Sequence, residues 1–220
     1  MPRGIFRLKQ VYEEQLSGEW STRGDVFLSP SIFSRSSHFG YFGGGSNYGG
    51  KTVIQRLDFS NDSGDTVIRG SLSQGRGDGI AATGNTNFGY FGGGYTSPST
   101  NLYSTVDRLD YFNDTGTTPT KGPLTLARYG FAATGNSSFG YFGGGRTDDH
   151  YPGPVNEKST VDRIDYSNDT ATASPKGPLS VAKINVAATG NASFGYFGGG
   201  ADSSPSVVST IERIDYSNDT

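Results

Sequence analysis

Phe39–Gly45 reads FGYFGGG, and the same seven residues return at Phe88–Gly94, Phe139–Gly145 and Phe194–Gly200. A glycine cluster first suggests an anion cradle, because backbone amides approach a phosphate only where no side chain intervenes. Such a site is built once, whereas this segment recurs at spacings of 49, 51 and 55 residues. A fixed long period is the mark of a repeat architecture. The heptad is therefore structural: Phe and Tyr flank small residues so that a ring can lie over glycine backbone, and the glycines allow positive φ and close approach between units.

Working outward from the heptad, each unit resolves into four strand-length pieces, clearest between Phe131 and Asn185: FAATGN, FGYFGGG, STVDRIDYSNDT and PKGPLSVAK. Each piece is aromatic or alternating in character and bounded by Gly, Asn-Asp or Pro. Four strands in a unit of about 50 residues is the pattern of a β-propeller blade of kelch type. The predicted fold is all-β, with approximate units 31–79, 80–130, 131–185 and an incomplete 186–220.

The chain resembles kelch repeats residue by residue. The glycine runs that would end the second strand include Gly43, Gly44 and Gly45. Third-strand aromatics are Phe59, Tyr111, Tyr166 and Tyr216, and the basic residue before the next unit is Arg76, Arg128 or Lys183. The Trp that kelch blades usually carry after the third strand is replaced by Asn-Asp-Ser/Thr.

The third piece also carries Arg56/Asp58, Arg108/Asp110, Arg163/Asp165 and Arg213/Asp215. Residues two apart on a strand share a face, so each arginine is expected beside its own aspartate, in a ring of charge-assisted hydrogen bonds between units. An anion-binding ring of arginines is the alternative; the adjacent aspartates cancel the charge that it needs.

Composition narrows the function. The 220 residues include 34 Gly, 14 Phe and 13 Tyr, with no Cys and a net charge of -3. Aromatics must supply much of the buried area. No broad basic surface is offered to nucleic acid, and cysteine chemistry is excluded. No apolar run has the length of a signal peptide core or a membrane span. Asn-Asp-Ser/Thr at the repeat turns reads as turn capping rather than glycosylation. An oxygen site at Asp165, Asn168 and Asp169 lacks the ligand order of a calcium loop. His38 and His150 lie in different contexts, and no Gly-x-Ser-x-Gly elbow occurs. No catalytic residue, metal or cofactor is assigned. Arg76-Gly77-Asp78 spells an integrin-type tripeptide but occupies the place of a unit connector.

Variation concentrates in one place. Between the last glycine of the heptad and the third-strand arginine lie 10, 13, 17 and 12 residues, whereas the arginine-to-next-heptad distance holds at 32, 31 and 31. Loops joining second to third strands emerge on one face of a propeller, where insertions often carry binding. Asn47, Tyr48, Tyr95, Asn101, Tyr103, Asp148, Asp149, His150 and Tyr151 are the candidate binding residues. Rings that stack on pyranose faces and polar groups that bond hydroxyls suit a surface glycan. Neutral drift of loop sequence is the alternative.

Residues 1–30 stand outside the repeat. Ile5, Leu8, Tyr12 and Leu16 fall at helical spacing, and the only Trp is Trp20. So short a helix is marginal alone and needs a docking partner, which makes this segment a predicted anchor. The whole chain, from MPRGIFRLKQVYEEQLSGEWSTRGDV through tandem copies of GYFGGG, STVDRIDYSNDT, KGPLS and AATGN, resembles the glycine-rich, kelch-like repeat proteins of tailed bacteriophages, notably contractile-tailed cyanophages. The resemblance implies a non-enzymatic virion structural protein at the tail, baseplate or fibre on the particle surface. Its N-terminus would hold other virion proteins, and its blades would serve host adhesion or decoration, with no nucleic-acid partner and no membrane insertion. A carbohydrate-active enzyme on a propeller and a protein-binding kelch scaffold are the rival readings. The fourth copy stops at Thr220 after its third strand, so the expectation is a longer natural chain, a clasp strand from residues 22–37, or an edge covered by a neighbouring subunit.

Overall fold

The computed structural model describes residues 39–45, 50–61, 63–77, 79–96, 101–147, 156–202 and 207–219. Among them the structure is all-β: several small antiparallel sheets and one 3-10 turn at Tyr166–Asn168, with no α-helix. The predicted anchor helix and the proposed clasp lie outside the described residues.

The first sheet is β1 (Phe39–Gly43), β2 (Lys51–Asp58) and β3 (Val67–Arg76). The second is a meander of β4 (Ala81–Gly84), β5 (Phe88–Gly92), β8 (Val106–Asp110) and β9 (Thr120–Lys121), with a small hairpin, β6 (Tyr95–Thr96) and β7 (Asn101–Leu102), inserted between β5 and β8. The third repeats the meander as β10 (Ala132–Gly135), β11 (Phe139–Gly143), β12 (Val161–Asp165) and β13 (Ser174–Lys176). The fourth has β14 (Ala187–Gly190), β15 (Phe194–Gly198) and β16 (Ile211–Asp215). The strands thus fall on the four pieces read from the sequence. The fourth piece is shorter than expected where Pro123 or Pro178 follows the glycine, because proline cannot donate to a ladder. In the first repeat Ser71 takes that position and β3 runs on for 10 residues.

Register is conserved from sheet to sheet. Tyr41 opposes Arg56, Tyr90 opposes Arg108, Tyr141 opposes Arg163 and Tyr196 opposes Arg213. One residue along, Phe91 opposes Asp107 and Phe142 opposes Asp162. Side chains alternate between faces with period two, so Tyr and Arg share one face while Phe and Asp share the other.

The three hydrophobic clusters lie between repeats. One joins Ile54 and Leu72 to Phe91 and Leu109 of the next repeat. Another joins Tyr90, Val106 and Leu124 to Phe131, Phe142 and Ile164. The last joins Tyr141, Val161 and Leu179 to Phe197, Ile214 and Tyr216. A single sheet therefore has no complete core of its own, and stacking supplies it.

The heptad glycines serve this stacking. A Cβ on Gly43, Gly92 or Gly143 would stand within 3 Å of the ring of Phe91, Phe142 or Phe197 in the following repeat. Gly44 and Gly45 both have positive φ. The AATG strands β4, β10 and β14 are neighbours in succession, with Thr83 against Gly135 and Gly140, and Thr134 against Gly190 and Gly195.

Candidate functional site

Two features recur at every described junction, a set of ionic ties and a rim of loops. The ties follow from the register. Because Tyr90 and Arg108 face the same way, both reach forward to the carboxylate of Asp169 in the next repeat, at 3.0 and 2.8 Å, and Lys121 joins them at 3.2 Å. Tyr41, Arg56 and Arg69 meet Asp114 in the same manner, and Tyr141, Arg163 and Lys176 meet Asp219. Each receiving aspartate belongs to the Asn-Asp-Ser/Thr turn. Burial alone would raise Asp114, but hydrogen bonds from Arg69 and Tyr41, with the charges of Arg69 and Arg56, hold it below its ordinary value. Asp169 and Asp219 are lowered against the same opposing burial. Tyr41 is pushed up to about 12, by burial first and Asp114 second. The forward tyrosines also stack on aromatics of the next repeat: Tyr41 on Tyr111, Tyr90 on Tyr166 and Tyr141 on Tyr216, with centroids 4.7 to 5.1 Å apart.

This corrects the expected pairing. Arg56, Arg108 and Arg163 reach the turn aspartate of the next repeat, while Asp58, Asp110, Asp165 and Asp215 accept the backbone N–H two residues on, at 2.9 to 3.0 Å. The physical reason is position. These aspartates end their strands, where the chain turns and an Asx bond lies closer than any cross-sheet partner. The arginines rest instead on the first ring of the heptad, Arg108 lying 4.3 Å from the Phe88 centroid and Arg213 4.6 Å from that of Phe194.

The opposite face of the second, third and fourth sheets serves the preceding repeat. Arg76, fully buried at the end of β3, pairs with buried Asp107 and donates to the carbonyls of Gly93 and Thr105. Arg128 pairs with Asp162 at 3.0 Å, and Lys183 with Glu212 at 2.8 Å. Burial pulls both Arg76 and Arg128 down, while Asp107 and Asp162 oppose it. The burial of Arg76 takes the tripeptide's arginine out of any exposed recognition surface.

The loop rim is stitched beside these basic residues. Gly77 N–H donates to the Tyr95 carbonyl, and Tyr129 and Arg146 exchange both backbone bonds, as do Ile184 and Ala201. Tyr95 lies 4.7 Å from Tyr129, ring to ring, and Arg146 approaches Glu157 at 3.8 Å. Of the candidate binding residues, Tyr95 and Asn101 sit on the β6–β7 hairpin, and Tyr103 follows it, its hydroxyl 3.4 Å from that of Thr96. The structure thus gathers Tyr95, Asn101 and Tyr103 on one loop. Asn47, Tyr48, Asp148, Asp149, His150 and Tyr151 lie outside the described residues, as do Ile5, Leu8, Tyr12, Leu16 and Trp20 of the anchor.

Sequence reading missed the forward role of Asp114, Asp169 and Asp219, as well as the buried acids Asp107 and Asp162. The available signal was periodicity: an acid recurs one residue before each third-strand arginine in all repeats but the first. Asp169, weighed as a cation ligand, is instead filled by Arg108, Lys121 and Tyr90. No group of three or more potential metal ligands occurs among the described residues, nor does a helix long and apolar enough to cross a membrane. No protein-family model matches the chain, and no curated protein matches it.

Proposed function

We propose that the chain is a non-enzymatic structural protein of a phage particle, its sheets serving as kelch-like propeller blades and residues 1–30 holding it to tail or baseplate proteins. One observation carries the reading. Of the ionisable residues repeated in the blades, the forward Arg, Tyr and turn Asp and the backward Arg or Lys and acid join one repeat to the next. A glycoside-cleaving site needs two carboxyl groups poised across a bond, whereas Asp114, Asp169 and Asp219 are each held by cations and a tyrosine. Chemistry that differs between repeats is left to the second-to-third-strand loops, such as Tyr95–Tyr103. That arrangement suits a rigid array displaying variable loops toward a host surface glycan. The particle assignment rests on the resemblance of the whole sequence to phage repeat proteins.

The test is particle incorporation. A chain lacking residues 1–30 should retain its far-ultraviolet spectrum and melting temperature but be absent from purified particles. Normal incorporation of the shortened chain would refute the anchor, and hydrolysis of a glycan by the intact protein would refute the non-enzymatic reading.

A further inference from the structure

Each loop of the rim adds a short row of cross-strand partners to the connector beside it. Residues that oppose one another in an antiparallel pair carry their side chains on the same face. Between the first and second sheets the row is Gly77, Tyr95 and Leu102, held by the Gly77 N–H on the Tyr95 carbonyl and by the pairing of Tyr95 with Leu102. Between the third and fourth it is Ile184, Ala201 and Val207. Both rows are uncharged, so joining a loop to its connector requires no ionisable side chain.

Between the second and third sheets the row is Tyr129, Arg146 and Glu157. It sets a guanidinium beside a carboxylate, with side chains only 10% and 5% exposed. Buried charges are ordinarily matched by close, hydrogen-bonded partners, as Arg108 and Asp169 are at 2.8 Å. Arg146 and Glu157 approach only to 3.8 Å, beyond hydrogen-bond length, and Glu157 Oε2 is buried with no hydrogen-bond partner among the described residues. At the other end of the row the Tyr129 ring meets that of Tyr95, 4.7 Å away and tilted by 51°. Both rings are half-buried and keep part of their surface in solvent.

We infer that this row is a sugar site and that its ligand is a neutral pyranoside with two adjacent hydroxyls. The inference rests on the glycan-facing role proposed above for the loops and gives that role an address. A carboxylate oxygen without a donor takes a hydroxyl hydrogen, and the guanidinium beside it gives hydrogens to a hydroxyl oxygen. Two neighbouring sugar hydroxyls offer one donor and one acceptor to such a pair and bridge the separation that Arg146 and Glu157 leave. The C–H face of the sugar would lie on the exposed parts of Tyr129 and Tyr95. Because the two charges cancel, a carboxylate on the sugar would gain nothing from Arg146 that Glu157 does not oppose.

Saturation-transfer NMR on the full chain tests the site, with methyl α-glucopyranoside, methyl α-mannopyranoside and methyl β-galactopyranoside as probes from about 0.1 to 50 mM, the range of weak small-ligand contacts. Methyl glucuronide is the acidic comparison. At least one neutral glycoside should bind, and more tightly than the glucuronide. Glu157→Gln, which replaces one acceptor oxygen by a donor, should weaken that binding at least tenfold. Tyr129→Ile, which installs the side chain that the following connector carries at the same place, should do the same and is tolerated by the fold on that ground. Circular dichroism and melting check that both variants are folded. Val207→Ala, in the row between the third and fourth sheets, should bind as the wild type does. Binding that both folded variants retain, or that Val207→Ala loses equally, would overturn this site while leaving the glycan reading of the loops in place. A wild type that binds none of the neutral glycosides would overturn both, and a preference for the glucuronide would overturn the neutral ligand.

Discussion

Asp162→Asn isolates the backward tie. The substitution keeps the shape of the side chain and removes the charge facing Arg128, which is 0% exposed and 3.0 Å away. It also weakens an acceptor for Thr125, whose N–H and hydroxyl both bond this carboxylate. Burying a guanidinium without its counter-ion costs about 3–5 kcal/mol when a pair is broken from one side. At about 2–4 °C per kcal/mol for a chain of this size, the melting midpoint should fall by roughly 6–20 °C. Replacing both partners, Arg128→Met with Asp162→Leu, should recover most of that loss, since apolar substitutes avoid the desolvation that the pair must overcome. Urea and thermal unfolding followed by circular dichroism measure all three variants. A loss under about 1 kcal/mol for Asp162→Asn, or a double variant no better than the single, would refute the reasoning.

Glycine substitutions should separate by position. A Cβ on Gly122 would sit 1.7 Å from the Ala171 carbonyl oxygen of the next repeat, while one on Gly116 meets nothing within 4 Å. Gly122→Ala should therefore cost several kcal/mol and Gly116→Ala stay within about 1 kcal/mol of neutral, as read from urea midpoints. Stability should also show a two-sided pH window. The lowered Asp114, Asp169 and Asp219 contribute fully above the ordinary carboxylate value of 3.8, and the contribution is lost as pH falls through their lower folded values. Tyr41 and Tyr216, raised to about 12, contribute below the ordinary 10.0 and lose that contribution as pH rises from there toward 12. Melting temperatures from pH 2 to 11.5 check both limbs, and a flat acid limb would contradict the ties.

Much of this architecture is written in local signals. The strand positions follow from aromatic pieces bounded by glycine, proline and Asn-Asp, and the heptad's use of rings over glycine emerges as Phe91 on Gly43 and Phe142 on Gly92. The piece PKGPLSVAK overstates the fourth strand, which stops at Lys121 or Lys176, short of Pro123 or Pro178. The pairing of charges was not legible either. Face-sharing correctly puts Arg163 and Asp165 on one side of a strand, but which carboxylate an arginine meets depends on the neighbouring sheet. A period-two rule says nothing of a residue 56 positions away, such as Asp219. The same limit hid the buried role of Arg128, because a connector residue reads as exposed until the next sheet closes over it.

The central claim is that Arg56, Arg108 and Arg163 are tied forward to the turn aspartate of the following repeat, not to the aspartate beside each of them. Double-mutant cycles on Arg108 test it most directly, one pairing Arg108→Met with Asp169→Asn and the other pairing it with Asp110→Asn. The account predicts a coupling of about 1–3 kcal/mol for the first cycle and under about 0.5 kcal/mol for the second. Stronger coupling to Asp110 than to Asp169 would contradict it.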